Sequence, residues 1–160
     1  MKSERAPLLL HDRLAGLAAF LPVLQAQGFE FGRWGGGEKN GDDVITMPYF
    51  ALSEQAAEFV RAAYDLGWVL MDFDWPRWKH TLQAQRLRDD PEALAKASPQ
   101  QLAQLLTVCI RQDRFVEGGL AADFESGLLT AVLTRVCVLL ARFERDRVKP
   151  QLGDGVRKEG

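Results

Sequence analysis

The chain has 160 residues, of which 47% are hydrophobic and 26% are charged, and its formal net charge is -2. This length suits one domain with a sizeable buried core, and the composition is typical of globular proteins. The near-neutral charge argues against nucleic-acid binding, which usually needs a basic face, and no uncharged apolar run approaches the ~20 residues that span a bilayer.

The cysteine content and the N-terminus predict a cytoplasmic protein without a disulfide framework. Cys109 and Cys137 both lie in helical apolar patterns and are expected to be small buried hydrophobic residues. The apolar block Leu8–Leu10 is too short for a signal-peptide core, because polar and charged residues follow at once. We assign residues 8–146 to a single globular domain and residues 1–7 and 149–160 to flexible tails.

The first elements predicted along the chain are a helix and a hairpin. Apolar residues recur at helical spacing after Asp12, Pro22 kinks this helix or begins a new turn, and Gly28 ends it. Alternation predicts a strand at Phe29–Phe31, and a returning strand follows at Val44–Phe50 after a glycine-rich loop. The second strand contains a proline, which has no amide to donate, so we expect it at a sheet edge.

The middle of the chain predicts a helix, a third strand and a further helix. Ser53 is a typical N-cap for a helix that ends at Gly67. The short apolar run Trp68–Phe73 predicts a strand. Asp74 then caps a helix with Pro76 in its first turn. One side of that helix is expected to carry Trp75, Trp78 and Leu82.

The last third of the chain predicts helices only. Asp90 and Pro91 begin a short helical turn, and Ser98 forms a capping box with Gln101 at the start of an apolar helix. The final helix is predicted from about Leu120 to about Arg145 and is apolar around most of its circumference, which is typical of a central core or interface helix.

These elements predict an α+β fold, mainly helical, with a small sheet of about three strands and a long buried C-terminal helix. Such a fold places the apolar faces of the helices against one another around a shared core. The residues that we expect to share this core are Leu17, Phe59, Leu102, Leu106, Leu128, Val132 and Leu139.

A polar segment between two apolar helices is the first candidate site. Arg111, Asp113, Arg114 and Glu117 lie in this segment, and Glu125 follows shortly after it. Two guanidinium groups can bind a carboxylate or phosphate, and the glutamates can act as general acid or base. The alternative, which we favour, is a basic helix C-terminus followed by an acidic helix N-terminus, each complementing a helix dipole.

The second candidate site is the segment around Asp72, Asp74, Trp75 and Trp78. Two carboxylates one residue apart can hold a divalent cation, but this spacing is common, and a cap at Asp74 is the simpler explanation. The two tryptophans, together with Arg77, Lys79 and His80, can stack on bases or sugars. Tryptophans at this spacing are more often core residues, which we favour.

Other cofactor and metal chemistry lacks support in the sequence. The two histidines, His11 and His80, do not belong to a cluster of zinc ligands. The run Gly35–Gly37 lacks the lysine and the following helix of a phosphate-binding loop. We therefore expect neither a metal nor another cofactor.

Several segments together resemble a bacterial family of uncharacterised domains. They begin at Phe29, Met47, Phe73, Arg111 and Phe124 and read FEFGRW, MPYF, FDWPRW, RQDRFVEGGL and FESGLL. The likeness extends from about residue 14 to about residue 140. It implies a compact intracellular bacterial domain, and it transfers no catalytic residue because the family has no assigned activity. The family has a bulkier residue where this chain has Gly119, a difference that would loosen the turn.

The function that these observations favour is a non-enzymatic interaction or regulatory module. The long apolar last helix predicts a homodimer or another protein partner, since a self-complementary patch closes with two-fold symmetry. The alternative is a small enzyme or ligand-binding protein that acts on an anionic substrate through the Arg/Glu segment. A nucleic-acid accessory role is a weaker third hypothesis, and we expect no membrane association.

Overall fold

The structure is a computed structural model that describes residues 8–37, 41, 45 and 47–153, with side chains up to residue 148. The described residues form nine helices and two strands. In chain order these are α1 (Leu10–Ala18), α2 (Leu21–Leu24), β1 (Gly32–Gly35), β2 (Tyr49–Leu52), α3 (Glu54–Asp65), α4 (Trp75–Trp78), α5 (Leu82–Asp89), α6 (Pro91–Ala95), α7 (Pro99–Gln112), α8 (Gly119–Glu125) and α9 (Leu128–Gly153).

The fold is mainly helical α+β, with a small antiparallel sheet and a long C-terminal helix, as predicted. The core lies where α7 and the first half of α9 meet α1 and α3. Of the residues predicted for the core, Leu17, Phe59, Leu102, Leu106, Leu128 and Val132 are buried. Leu139 is only half-buried, because it lies in the part of α9 that extends beyond α7.

Side-chain caps fix the helix starts that the sequence predicts. The Ser53 hydroxyl accepts a hydrogen bond from the amide of Ala56 at 3.2 Å. The Ser98 hydroxyl accepts from the amide of Gln101, whose side chain in turn accepts from the amide of Ser98, so the capping box is present. Each bond pairs a helix N-terminal amide that has no partner within its helix.

The sheet has two strands where about three were predicted, and the positions of these two differ from the predicted ones. β1 and β2 are antiparallel, with Gly32 opposite Leu52 and Trp34 opposite Phe50. Both strands lie a few residues later than expected, so the alternating Phe29–Phe31 segment precedes the ladder. Val44, the predicted start of the second strand, lies outside the described residues.

The predicted third strand, Trp68–Phe73, is wrong. Trp68 and Val69 are buried, but the segment has no strand partner among the described residues and runs as an irregular connection. Its polar groups bond to helices instead: the amide of Leu70 donates to the Thr107 hydroxyl at 2.8 Å, and the Trp68 indole donates to the carbonyl of Arg13 at 3.0 Å. A buried apolar run does not distinguish a strand from a loop that helices cover.

The helix predicted after Asp74 is also shorter than expected. α4 ends at Trp78, and α5 begins separately with Thr81 as its N-cap, whose hydroxyl accepts from the amide of Ala84 at 3.2 Å. Leu82 is consequently 73% exposed and does not share a buried side with the tryptophans.

The final helix is divided in two, where the sequence predicted one. α8 ends at Glu125, and α9 begins at Leu128 with an angle of 68° between the two helices. Gly127 at the break has a φ of +89°, which glycine adopts without strain. No single described helix has both the length and the apolar character to cross a membrane, although α8 and residues 128–148 would suffice if counted together.

Candidate functional site

The polar segment Arg111–Leu120, here called the elbow, connects α7 to α8 through a tight turn. The Asp113 carboxylate accepts a hydrogen bond from the amide of Leu120 at 3.0 Å and so caps the first turn of α8. Gly118, which precedes α8, has a φ of +77°. A carboxylate at a helix N-terminus also complements the positive end of the helix dipole.

The hairpin of β1 and β2 is joined to the elbow by a hydrogen bond and by an aromatic contact. The Glu117 carboxylate accepts from the amide of Phe50 at 2.8 Å. The Trp34 ring lies over Gly118, where an added Cβ would come within 2.7 Å of the Trp34 Cζ2 atom. Trp34 also meets the Phe50 ring edge-on, with centroids 5.4 Å apart. The elbow therefore has a defined position against the sheet.

These contacts create an aromatic surface, which we define as Trp34, Phe50, Trp75, Phe115 and Val116. Trp34 is 59%, Phe115 78% and Val116 49% exposed. Trp75 is buried, and its ring lies 6.1 Å from that of Phe115. Exposed apolar side chains that adjoin one another are typical of interaction sites, whereas scattered ones are not.

The candidate residues of the first group are placed differently from one another. Arg111 is half-buried in the last turn of α7, and Arg114 is exposed. Glu125 is exposed and lines a cavity of about 290 Å³ between α8 and the hairpin, beside Phe29, Phe31 and Arg33. Glu117 and Asp113 accept backbone hydrogen bonds, as described above. Their assignment to ligand binding or proton transfer stays a prediction.

The second group of candidates forms the border of the aromatic surface. Asp74 caps α4, accepting from the amide of Arg77 at 3.3 Å, and Asp72 is exposed. Trp75 belongs to the surface, and the Lys79 ammonium lies 5.8 Å from its ring centroid. Trp78 is half-buried against Phe73 and donates through its indole to Gln83. Metal or base binding by this group also stays a prediction.

The two cysteines are free thiols, and Cys109 is the buried one. Cys109 is buried beside the ion pair of Arg88 and Asp123, whose atoms are 3.0 Å apart. Burial, together with the Asp123 carboxylate, raises the pKa of the Cys109 thiol far above its ordinary value. Within the described ranges, no three metal-ligating side chains lie close enough to hold an ion.

Sequence reasoning missed the contribution of the hairpin to this surface. Trp34 and Phe50 are far from the elbow in sequence, and nothing in their spacing indicates that they cover Gly118. The signal that could have found them is the concentration of aromatic residues in the segments on which the resemblance depends. Trp34, Phe50, Trp75 and Phe115 come from four of those segments, and the fold brings these four aromatics to one turn.

Comparison with protein families agrees with the resemblance seen in the sequence. The model of DUF6508, a family of unknown function, matches residues 9–142. The chain belongs to this family. The match includes the hairpin, the elbow and most of α9, and thus every residue of the aromatic surface. No curated protein and no solved structure matches the chain significantly.

Proposed function

We propose that this member of DUF6508 is a non-enzymatic interaction module that forms a homodimer through the aromatic surface. The observation that supports this proposal is the exposure of Phe115 and Val116 on the elbow and of Trp34 on the hairpin that contacts the elbow. An aromatic side chain has about 150–250 Å² of surface, so Trp34 and Phe115 each expose roughly 100–150 Å².

The last helix, which the sequence favoured as the interface, is a weaker candidate than the aromatic surface. Its first half is used by the chain's own core, since Leu129, Val132, Leu133 and Val136 are each 0% exposed. Its second half packs against α1, where the rings of His11 and Phe143 are 5.7 Å apart. The large apolar side chains that α9 exposes are Val138 and Val148, whereas the hairpin and elbow expose the larger rings of Trp34 and Phe115.

The charges around the aromatic surface favour a second copy of the chain as the partner. Arg111 and Arg114 precede Phe115 in the sequence, and Asp72 and Asp74 precede Trp75. A two-fold axis places each patch against its own copy, so a border with both signs of charge can pair cations with carboxylates. An apolar aromatic centre with a polar rim is also the usual anatomy of a protein interface.

Light scattering after size exclusion tests this proposal over a range of protein concentrations. We expect the unaltered chain to be a dimer and Phe115→Ser to be a monomer. Removing an aromatic anchor costs about 2 kcal/mol or more, and both copies change, so the dissociation constant should rise on the order of a thousandfold. Leu82→Ser is the matched control, because Leu82 is 73% exposed on α5, outside the surface.

Three results would overturn the proposal. The first is a monomer at every concentration tested, and the second is a dimer that Phe115→Ser does not weaken. The third is a monomer that binds a different protein through the same residues, mapped by a photo-crosslinker at Val116, because the partner would then not be a second copy.

A further inference from the structure

A groove between α6 and α9 lies outside the aromatic surface. It has a volume of about 530 Å³, and its walls are mainly apolar. Leu94 and Ala95 line one side, and Ala131, Thr134 and Val138 line the other. A second cavity of about 520 Å³ continues from it toward Arg88 and Asp123, sharing Leu94 and Ala131 among its lining residues. This size is within the range of small-molecule sites.

The groove contains a buried cation, Arg135. The residue is 8% exposed, and its Nε atom donates to the carbonyl of Ala97 at 2.9 Å. No described carboxylate lies within 4.0 Å of its guanidinium. Burial and then the charge of Arg142 lower the pKa of Arg135, so its surroundings disfavour the positive charge. A buried charge is normally paired, because its desolvation is costly.

Arg135 is one of the residues that line the groove. Every fully buried side-chain nitrogen or oxygen atom among the described residues has a hydrogen-bond partner. The only hydrogen bond that Arg135 makes among the described residues is through Nε, so no described group accepts from its Nη atoms. Two adjacent N–H groups of arginine match the two oxygens of a carboxylate in a fork-like geometry.

The walls of the groove determine which kind of molecule can carry the carboxylate that binds there. Backbone amides of α6 and α9 are bonded within their helices, and the Thr134 hydroxyl donates to the carbonyl of Thr130 at 2.8 Å. An extended peptide in the groove would thus find few partners for its own amides, which is costly for buried polar groups. An aliphatic chain has no such groups and gains from burial against Leu94, Ala131 and Val138.

We propose that the α6–α9 groove binds a linear aliphatic carboxylate, with the carboxylate on Arg135 and the tail along the apolar walls toward Gly127. This site shares no residue with the aromatic surface, so it does not depend on the proposed dimer.

The probes for the test are octanoate, decanoate and decan-1-ol. Their affinities are measured by calorimetry, below the micelle concentrations of the two carboxylates and below the solubility limit of the alcohol. We expect decanoate to bind more tightly than octanoate by roughly two- to fourfold for each added methylene that is buried. Decan-1-ol has the same tail without the charge, so we expect it to bind at least tenfold more weakly than decanoate.

Two substitutions localise the binding. Arg135→Met keeps the apolar stem and removes the charge, so decanoate affinity should fall at least tenfold while that of decan-1-ol changes little. Ala131→Leu fills the groove without altering Arg135 and should weaken both probes, whereas Ala141→Leu, at an exposed position of α9 outside the groove, should weaken neither.

The proposal is overturned if decanoate shows no binding, or if decanoate and decan-1-ol bind equally well. It is also overturned if Ala131→Leu leaves decanoate affinity unchanged, a result that remains decisive even where Arg135→Met does not fold. Thermal unfolding of each variant without probe shows which of them are folded.

Discussion

Replacement of Gly118 by alanine tests whether the elbow is held in place by the hairpin. Gly118 has a φ of +77°, and a Cβ atom there would lie 2.7 Å from the Cζ2 atom of Trp34. The adjacent Gly119 provides a matched comparison. It begins α8 without a positive φ, and an added Cβ would only touch Val116 at 3.6 Å, an ordinary contact.

The two substitutions are expected to have opposite effects on the free energy of unfolding. Alanine in the left-handed region costs about 1–2 kcal/mol. Displacing Trp34 from Phe50 forfeits an edge-on aromatic pair that is worth about 0.5–1.5 kcal/mol. Gly118→Ala should therefore destabilise the protein by roughly 1.5–3.5 kcal/mol. Gly119→Ala should stabilise it by about 0.4–1 kcal/mol, because it lowers the entropy of the unfolded chain without adding strain.

Urea unfolding followed by circular dichroism measures both values. For a chain of this size the melting temperature should fall by roughly 3–14 °C in Gly118→Ala. In a Trp34→Ala background, Gly118→Ala should lose only the free energy of unfolding that comes from the left-handed backbone. The part that comes from displacing Trp34 should disappear. The reasoning is refuted if Gly118→Ala is as stable as the unaltered chain, or if the loss is the same with and without Trp34.

Other predictions concern single contacts. Glu117→Ala should reduce hydrogen-exchange protection of the Phe50 amide about tenfold, and unchanged protection would show that the bond is not formed in solution. Ser98→Ala should lower the free energy of unfolding by about 1 kcal/mol in urea titrations, through loss of the capping box. Arg114→Ala should change it by no more than about 0.5 kcal/mol, since this side chain is exposed; a loss of several kcal/mol would reveal a buried ion pair. Burial raises the pKa of the Cys109 thiol in the folded chain. As pH rises, the thiol therefore loses its proton in the unfolded chain before it does so in the folded chain. The thiol contribution to stability is then complete below pH about 8.5 and declines above it, and iodoacetamide should label Cys109 only after unfolding. Labelling of the native protein at the rate of a free thiol would contradict this.

The helix starts were predictable because their causes are local. Ser53, Asp74 and Ser98 each bond the amide three residues later, so the sequence contains both partners. The predicted strand at Trp68–Phe73 failed because its partner is Thr107, which is distant in sequence. A similar limit applies to the last helix, where apolar periodicity continues through a glycine that bends the chain.

The position of the elbow between two helices was predictable, but its contacts were not. The polar elbow stood out by its charges, and the structure shows that two of its carboxylates, Asp113 and Glu117, bind backbone amides. The aromatic side chains that surround the elbow come from three separate regions of the chain. Arg135 could not be singled out either, since a lone arginine in an apolar helix gives no sign of whether a carboxylate will face it.

The bond between Glu117 and Phe50 has a consequence for self-assembly at high protein concentration. The amide of Ser53 bonds to the carbonyl of Phe31, so alternation along the ladder directs the Phe50 amide away from β1. An outward amide on a two-stranded sheet is where a foreign strand would add and begin a fibril. The Glu117 carboxylate accepts a hydrogen bond from this amide and places a negative charge at the edge of β2. We therefore expect Glu117 to hinder β-aggregation at the one open hairpin among the described residues.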